Sequence, residues 1–316
     1  MSEPLNFNLK NSPNQLIRKF DISNCSLFLK REDLLHSEVS GNKFRKLKYN
    51  LQEAKNQKKR LLLTFGGAFS NHISAVAAAG KMMGFETIGI IRGEELGKDP
   101  ENTFRENPTL RFAASQGMEL RFVSRDEYRE KDREHYIEKL KDQFGDFYLL
   151  PEGGTNAFAI QGCQEILSES DKNFDFICCP VGTGGTISGI INSSEISQKV
   201  LGFPALKGDF LRAEISGFTS KTNWELIEDY HFGGYAKISS ELITFINEFH
   251  QKTNIALDPV YTGKMIFGIF DMIERSAFPE NSRILAIHTG GLQGIAGMNM
   301  VLLKKNLPLI DVWNEI

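Results

Sequence analysis

Short apolar runs, each closed by glycine-rich turn chemistry and followed by a helical pattern, recur along the chain. Arg60-Leu-Leu-Leu-Thr-Phe65 has the length and composition of a buried strand; Gly66-Gly67 ends it, and residues 70–83 follow with helical periodicity. Residues 86–91 and 119–123 predict two more strands, the second leading into a long charged helix within 125–144. Phe174-Asp-Phe-Ile-Cys-Cys-Pro180 is a strand broken by Val181-Gly-Thr-Gly-Gly-Thr186, with a helix after it, and residues 283–288 form a late strand closed by Thr289-Gly290-Gly291. Strands alternating with helices imply parallel sheets covered on both faces, so the class is α/β. Ligands of such sheets bind beyond the carboxyl ends of the strands. The turns at 66–67, 182–186 and 290–291 therefore point at one cleft.

Composition narrows the function classes. At 316 residues the chain is roughly two domains' worth. Its 37 basic and 40 acidic residues nearly balance, and no basic face suggests nucleic acid or an acidic membrane surface as a partner. No stretch approaches the ~18 consecutive apolar residues of a transmembrane helix, and residues 1–8 are polar with no apolar signal core. The four cysteines are sparse and lack metal-ligand spacing. Cys178 and Cys179 lie within an apolar run and read as small buried hydrophobes. A cytoplasmic protein with no metal fits this composition.

Five segments could carry chemistry. Lys30-Arg-Glu-Asp33 precedes Ser40-Gly-Asn-Lys-Phe-Arg-Lys-Leu47, where Gly41-Asn42 is turn chemistry and Lys43 stands at a helix start. A cation there opposes the helix dipole, which disfavours the protonated amine and favours a nucleophile. Thr64-Phe-Gly-Gly-Ala-Phe-Ser-Asn-His72 offers Ser70 as a helix cap. Between strand and helix, Gly182 to Thr186 expose backbone N–H groups suited to a phosphate, yet lack the ending of a P-loop and the spacing of a dinucleotide fingerprint. Leu257-Asp-Pro-Val-Tyr-Thr-Gly-Lys264 reads as a buried connection between two helices. Ala286-Ile-His-Thr-Gly-Gly291 reads as a strand end and turn, with His288 structural or lining the site. Singly, each segment has an ordinary structural explanation.

Taken in order, these five segments resemble the fold-type II pyridoxal-phosphate (PLP) enzymes, specifically the group of 1-aminocyclopropane-1-carboxylate (ACC) deaminases and D-cysteine desulfhydrases. The resemblance runs from about Lys30 to Gly291 and includes Gly153-Gly-Thr-Asn156 before a helix. It implies two open parallel-sheet domains of the tryptophan-synthase-β type with PLP in the cleft between them. The larger domain would hold 1–47 and 156–316, and a smaller inserted domain, 48–155, would close over the site.

The resemblance also assigns roles. Lys43 matches the lysine that links to PLP and later moves the Cα proton. Asn71 matches a partner of the cofactor hydroxyl, Gly182, Thr183, Gly184, Gly185 and Thr186 the phosphate loop, and Thr262 the partner of the ring nitrogen. Ser70, Asn71, His72, Thr155 and Asn156 fall on the substrate side, and Tyr261 and Tyr235 match two active-site tyrosines. The implied substrate is a small amino acid and the implied assembly a homodimer. Thr262 stands where ACC deaminases carry glutamate and D-cysteine desulfhydrases threonine. A hydroxyl supports a pyridinium charge less well than a carboxylate, which favours β-elimination from D-cysteine or a similar β-substituted D-amino acid. His72 departs from the glutamine common in ACC deaminases, and Tyr235 sits in a stretch that follows the pattern loosely. The alternatives are ACC deamination to 2-oxobutanoate and ammonia, a PLP-binding protein without turnover, and a phosphate-ligand module without PLP.

Overall fold

The computed structural model describes residues 12–311; the polar stretch 1–8 lies outside them. Ten strands and twelve α-helices are present among the described residues. The strands are β1 (Asn14–Phe20), β2 (Cys25–Lys30), β3 (Leu61–Gly67), β4 (Glu86–Arg92), β5 (Glu119–Val123), β6 (Phe147–Leu150), β7 (Phe176–Val181), β8 (Lys199–Pro204), β9 (Trp224–Leu226) and β10 (Arg283–Ile287). The helices are α1 (Asn42–Asn56), α2 (Asn71–Met83), α3 (Pro100–Glu106), α4 (Pro108–Ser115), α5 (Arg125–Arg129), α6 (Glu134–Phe144), α7 (Ala157–Gln164), α8 (Gly185–Ser193), α9 (Phe210–Ser216), α10 (Ser240–Thr253), α11 (Thr262–Glu274) and α12 (Gly294–Lys304).

The strands form two sheets. One has the order β1-β2-β10-β7-β8-β9, the other β5-β4-β3-β6. All pairs are parallel except β1 with β2, so the expected parallel sheets carry one antiparallel edge. Side chains of the central strands alternate between two cores, as a pleated strand requires. Cys178, Ile284 and Ala286 join Leu242, Ile246, Ile266 and Ile269 of α10 and α11. Cys179, Leu285 and Ile287 face Ile187, Ile190 and Leu211 of α8 and α9. All four cysteines are free and buried. In the smaller sheet, Leu62 and Ile91 pack with α1 and α2, whereas Leu63, Phe65, Ile88 and Ile90 pack with Tyr128, Tyr136 and Leu140.

The single long helix expected within 125–144 is instead two, α5 and α6. Both Tyr128 and Tyr136 place their rings within 6.5 Å of the Phe65 ring. A straight helix would set those residues about 12 Å apart along its axis and about 80° around it. The break falls at Glu130-Lys-Asp-Arg133, four charged residues with nothing apolar to bury.

The topology gathers helix starts. Strands β3, β7 and β10 end at Gly67, Val181 and Ile287, and α2 and α8 begin just beyond the first two. Helices α1, α7 and α8 pack at close range beside them. A Cβ on Gly162 would fall 2.0 Å from the carbonyl oxygen of Arg45, and one on Gly189 2.4 Å from the Cβ of Cys163. This proximity brings the start of α1 to the start of α8. Among the described residues no helix is long and apolar enough to cross a membrane.

Candidate active site

Lys43 stands in the first turn of α1, after Gly41 at φ +62°. Gly41 is irreplaceable for packing as well as conformation, because a Cβ there would lie 2.0 Å from the carbonyl oxygen of Thr289. That carbonyl accepts the backbone N–H of Asn42 at 3.3 Å and ties α1 to the end of β10. The Lys43 amine donates to the carbonyl of Gly153 at 3.1 Å. One helical turn on, Lys46 donates to the same oxygen at 3.0 Å, to Thr155 Oγ1 at 2.9 Å and to Thr183 Oγ1 at 3.3 Å.

Two amines thus converge on one oxygen. Burial lowers both pKa values, and for Lys43 the Lys46 charge lowers it further, well below the ordinary lysine range. Lys46 has three oxygen acceptors against one for Lys43, so of the two amines Lys43 is the readier to give up its proton. Lys46 and Asn42, whose side chain donates to Thr186 Oγ1 at 2.8 Å, were not singled out from the sequence. The three-residue spacing from Lys43 was the available signal for Lys46, since such residues share a helix face.

Beside these amines lies the loop 182–186. Gly184, at φ +80°, is the N-cap of α8 and contributes no capping side chain. The first-turn N–H groups of a helix have no intrahelical acceptors, so they are left to an anion. The loop is a cradle that side chains would fill: a Cβ on Gly185 would meet Thr155 Oγ1 at 2.8 Å and Lys46 Nζ at 3.2 Å, and one on Gly182 would meet the Tyr261 hydroxyl at 3.2 Å. Backbone N–H groups, two threonine hydroxyls and a buried lysine amine are a donor set matched to a phosphate.

From the smaller sheet, Ser70 caps α2 by accepting the N–H of Ile73 at 3.4 Å. Asn71 follows, its Oδ1 buried without a partner and its Nδ2 2.6 Å from the Cβ position of Gly291. An orphaned buried carbonyl oxygen at the cleft fits a ligand donor such as the cofactor hydroxyl. His72 is turned inward. Thr64 Oγ1 donates to the carbonyl of Leu150 at 2.9 Å, so the 2.8 Å contact between that oxygen and His72 Nε2 runs from ring N–H to hydroxyl. Burial, then the charges of Lys43 and Lys46, lower its pKa well below the usual imidazole value and keep the ring neutral.

Several other candidates are held in caps. Asn156 Oδ1 accepts the N–H of Ala159 at 2.9 Å, and its Nδ2 donates to Asn50 at 2.7 Å. Thr155 Oγ1 pairs with Thr183 Oγ1 at 2.6 Å. Thr262 is fully buried, and its hydroxyl donates to Asp258 Oδ2 at 2.6 Å. Asp258, which sequence reasoning passed over, accepts the N–H groups of Val260, Tyr261 and Thr262 at 2.8–2.9 Å and so organises the start of α11. An Asp-Pro pair ahead of a helix was its signal. Thr289, also passed over, keeps 8% of its surface accessible where β10 ends. His288 is fully buried, with Nε2 2.7 Å from the Ala256 carbonyl and Nδ1 accepting the Gly290 N–H.

The two tyrosines meet. The rings of Tyr261 and Tyr235 are 6.3 Å apart and inclined at 66°. Burial first, then mutual proximity and Asp258, raise the Tyr261 pKa well above the ordinary phenol value; burial also raises that of Tyr235. Both phenols therefore carry protons through the neutral range. Among the described residues no group of His, Cys, Asp and Glu could hold a metal ion.

Comparison with known proteins identifies the family. Residues 8–290 match the family model described as pyridoxal-phosphate dependent enzyme. The chain is 32% identical over 317 residues to the mitochondrial bifunctional D-cysteine desulfhydrase/1-aminocyclopropane-1-carboxylate deaminase of Arabidopsis thaliana, covering 92% of this chain and 79% of that one. It is 26% identical over 303 residues to a D-cysteine desulfhydrase of Yersinia enterocolitica, covering 88% and 90%. The crystal structure of an ACC deaminase homologue superposes with a TM-score of 0.77 at 29% identity, covering 93% of each chain.

Proposed function

The chain belongs to the pyridoxal-phosphate dependent enzymes, and from that premise we propose that it is a lyase that eliminates the β-substituent of D-cysteine or a similar small D-amino acid, giving pyruvate, ammonia and sulfide. The observation that carries this reading is the pairing of Lys43, its pKa lowered by burial and by Lys46, with an anion cradle one helical turn away. The names of the relatives supply the substrate class. In this reading the sheet β3–β6 belongs to the smaller domain, 48–155, and brings Ser70 to the cleft.

The loop 182–186 with Lys46 and Asn42 would hold the phosphate, Lys43 would hold the cofactor aldehyde carbon, and Asn71 would meet its hydroxyl. Bound PLP supplies an electron sink that acidifies the Cα–H of an amino acid. Lys43 Nζ would take the Cα proton of an amino acid held beside it. Ser70 and the backbone N–H groups at the start of α2 orient the substrate carboxylate. Tyr261 and Tyr235 keep their protons, so either Oη can protonate the sulfur as the Cβ–S bond breaks. One water enters on release of the carbon skeleton, which balances D-cysteine and water against pyruvate, ammonia and hydrogen sulfide.

Elimination is favoured over ring opening because α11 leaves no carboxylate for a ring nitrogen. Its first residue is Thr262, and both oxygens of Asp258 are engaged by the N–H groups and hydroxyl of the cap. The bifunctional relative keeps ACC deamination as the second reading. A turnover panel of D-cysteine, L-cysteine, ACC, D-serine and β-chloro-D-alanine, with pyruvate, 2-oxobutanoate and sulfide measured, decides between them. Turnover of ACC that rivals D-cysteine overturns elimination as the main activity. A protein that PLP cannot colour overturns the assignment of Lys43.

A further inference from the structure

Lys264 lies in the first turn of α11, is 2% exposed, and has so far been given no role. A cation at this place is opposed twice, by the helix dipole and by burial. Burial lowers its pKa to about 8, with Asp258 offsetting part of the effect. What retains it is visible in its contacts: the amine donates to the carbonyls of His231 and Gly234, each at 2.9 Å.

Those carbonyls belong to the segment that carries Tyr235. The segment is strained, with positive φ at Phe232 (+54°), Gly233, Gly234 and Ala236 (+54°). A non-glycine residue in this region costs about 1–3 kcal/mol and persists only when its surroundings hold it. Its local hydrogen bonds are few: Gly234 N–H to the His231 carbonyl at 3.0 Å, Lys237 N–H to the Gly234 carbonyl at 3.2 Å, and Gly233 N–H to His231 Nδ1 at 2.9 Å. Two further tethers also run to α11. Tyr230 donates to Asp271 at 2.6 Å, and the Phe232 ring packs edge-on against Phe267 at 5.1 Å. Among the described residues, only Lys264 grips both flanks of the turn whose next residue is Tyr235.

We propose that Lys264 is a positioning residue that holds the strained 231–236 turn against α11 and thereby sets Tyr235 beside Tyr261 at the cleft. It touches no reacting atom. The inference rests on the reading that the two tyrosines serve one site, and it explains why one helix start supplies Tyr261 directly and Tyr235 at one remove.

The test uses the full-length protein loaded with PLP, as wild type, Lys264→Met and Lys264→Arg. Amide hydrogen exchange of the 231–237 peptide and tryptic cleavage after the exposed Lys237 report the turn without reference to activity. In Lys264→Met both should rise by roughly tenfold or more, since two charge-assisted hydrogen bonds are lost, while exchange in β3 and β4 stays unchanged and PLP remains bound. The value of kcat/KM for the amino acid that the wild type turns over best should fall, and Lys264→Arg should recover part of both effects. Unchanged exchange and cleavage in Lys264→Met overturn the proposal. So does a loosened turn with unaltered kcat and KM, or loosening that spreads equally to the smaller sheet. A wild type that binds PLP yet turns over no amino acid sinks the lyase reading instead, and leaves the exchange and cleavage results to judge the turn by themselves.

Discussion

The convergence of Lys43 and Lys46 on the Gly153 carbonyl makes a quantitative prediction. Each nitrogen is within 3.1 Å of that oxygen, so the two lie no more than about 6 Å apart. At an effective dielectric constant of about 20, two unit charges at that separation repel by about 2.8 kcal/mol, and by more if they stand closer. Lys46→Met keeps the length and apolar stem and removes the charge. In the cofactor-free variant the Lys43 pKa should rise, and it should still lie below 10.5, because burial is the larger cause and persists. Lys46→Arg keeps the charge and should leave the value low.

The assay is competitive labelling of cofactor-free protein by an amine-reactive reagent across a pH series, with the Lys43 peptide quantified by mass spectrometry. Wild type should give a midpoint well below 10.5, and the Met variant a higher one. Because the unfolded chain binds the proton more tightly than the folded one, stability of the cofactor-free protein should rise with pH between the depressed value and 10.5. An unaltered labelling midpoint in Lys46→Met, with the fold intact by circular dichroism, would refute the electrostatic coupling and leave burial as the whole cause.

Three further outcomes follow from the geometry. Glu32→Ala removes the contacts of 2.8 and 2.9 Å from the buried Arg45 guanidinium and leaves it only the Glu165 carboxylate at 3.7 Å, and should cost about 3 kcal/mol in chemical denaturation; a loss below about 1 kcal/mol would contradict this. Gly185→Ala drives a methyl group to 2.8 Å from Thr155 Oγ1 and 3.2 Å from Lys46 Nζ, and should weaken PLP binding roughly tenfold or more, read by fluorescence titration. Tyr261→Phe should retain the colour of bound PLP while kcat falls by about 10²–10⁴ if its phenol protonates the leaving group; an unchanged kcat would move that task to Tyr235.

The apolar periodicity made β3, β4, β5, β7 and β10 and the glycine turns legible, because strand ends and turn residues leave local signatures, whereas β2, β6, β8 and β9 were not expected. What stayed hidden was which polar side chains face the cleft. Asn156 and Thr262 have residue types suited to a ligand, yet one caps α7 and the other donates to Asp258. A side chain that caps a helix and one that meets a ligand are drawn from the same small polar set. Conversely, Asn42 and Lys46 read as ordinary helix residues, and only the approach of α1 to α8 across the Gly162 and Gly189 contacts gives them a common target. The antiparallel β1 was invisible for another reason. Its exposed edge positions carry no core pattern, and its placement depends on β2, which is itself read only through the sheet it joins.

The cluster of helix starts has a consequence for the order of events at Lys43. Helices α1, α2, α8 and α11 begin at the cleft, and each contributes a positive dipole end. With Lys46 beside them, the field disfavours any further cation and adds to burial, the larger cause, in lowering both Lys43 and His72 from their ordinary values. On the proposed reading, an anion held at the start of α8 lies against Lys46 and offsets its charge, so the repulsion felt at Lys43 falls once the phosphate is in place. Lys43 is then most readily neutral, and most nucleophilic, while the site is being loaded. It becomes the stronger base afterwards, when the remaining task is removal of a Cα proton. On that reading one pair of lysines on one carbonyl oxygen would serve two requirements that a single fixed pKa could not meet equally well.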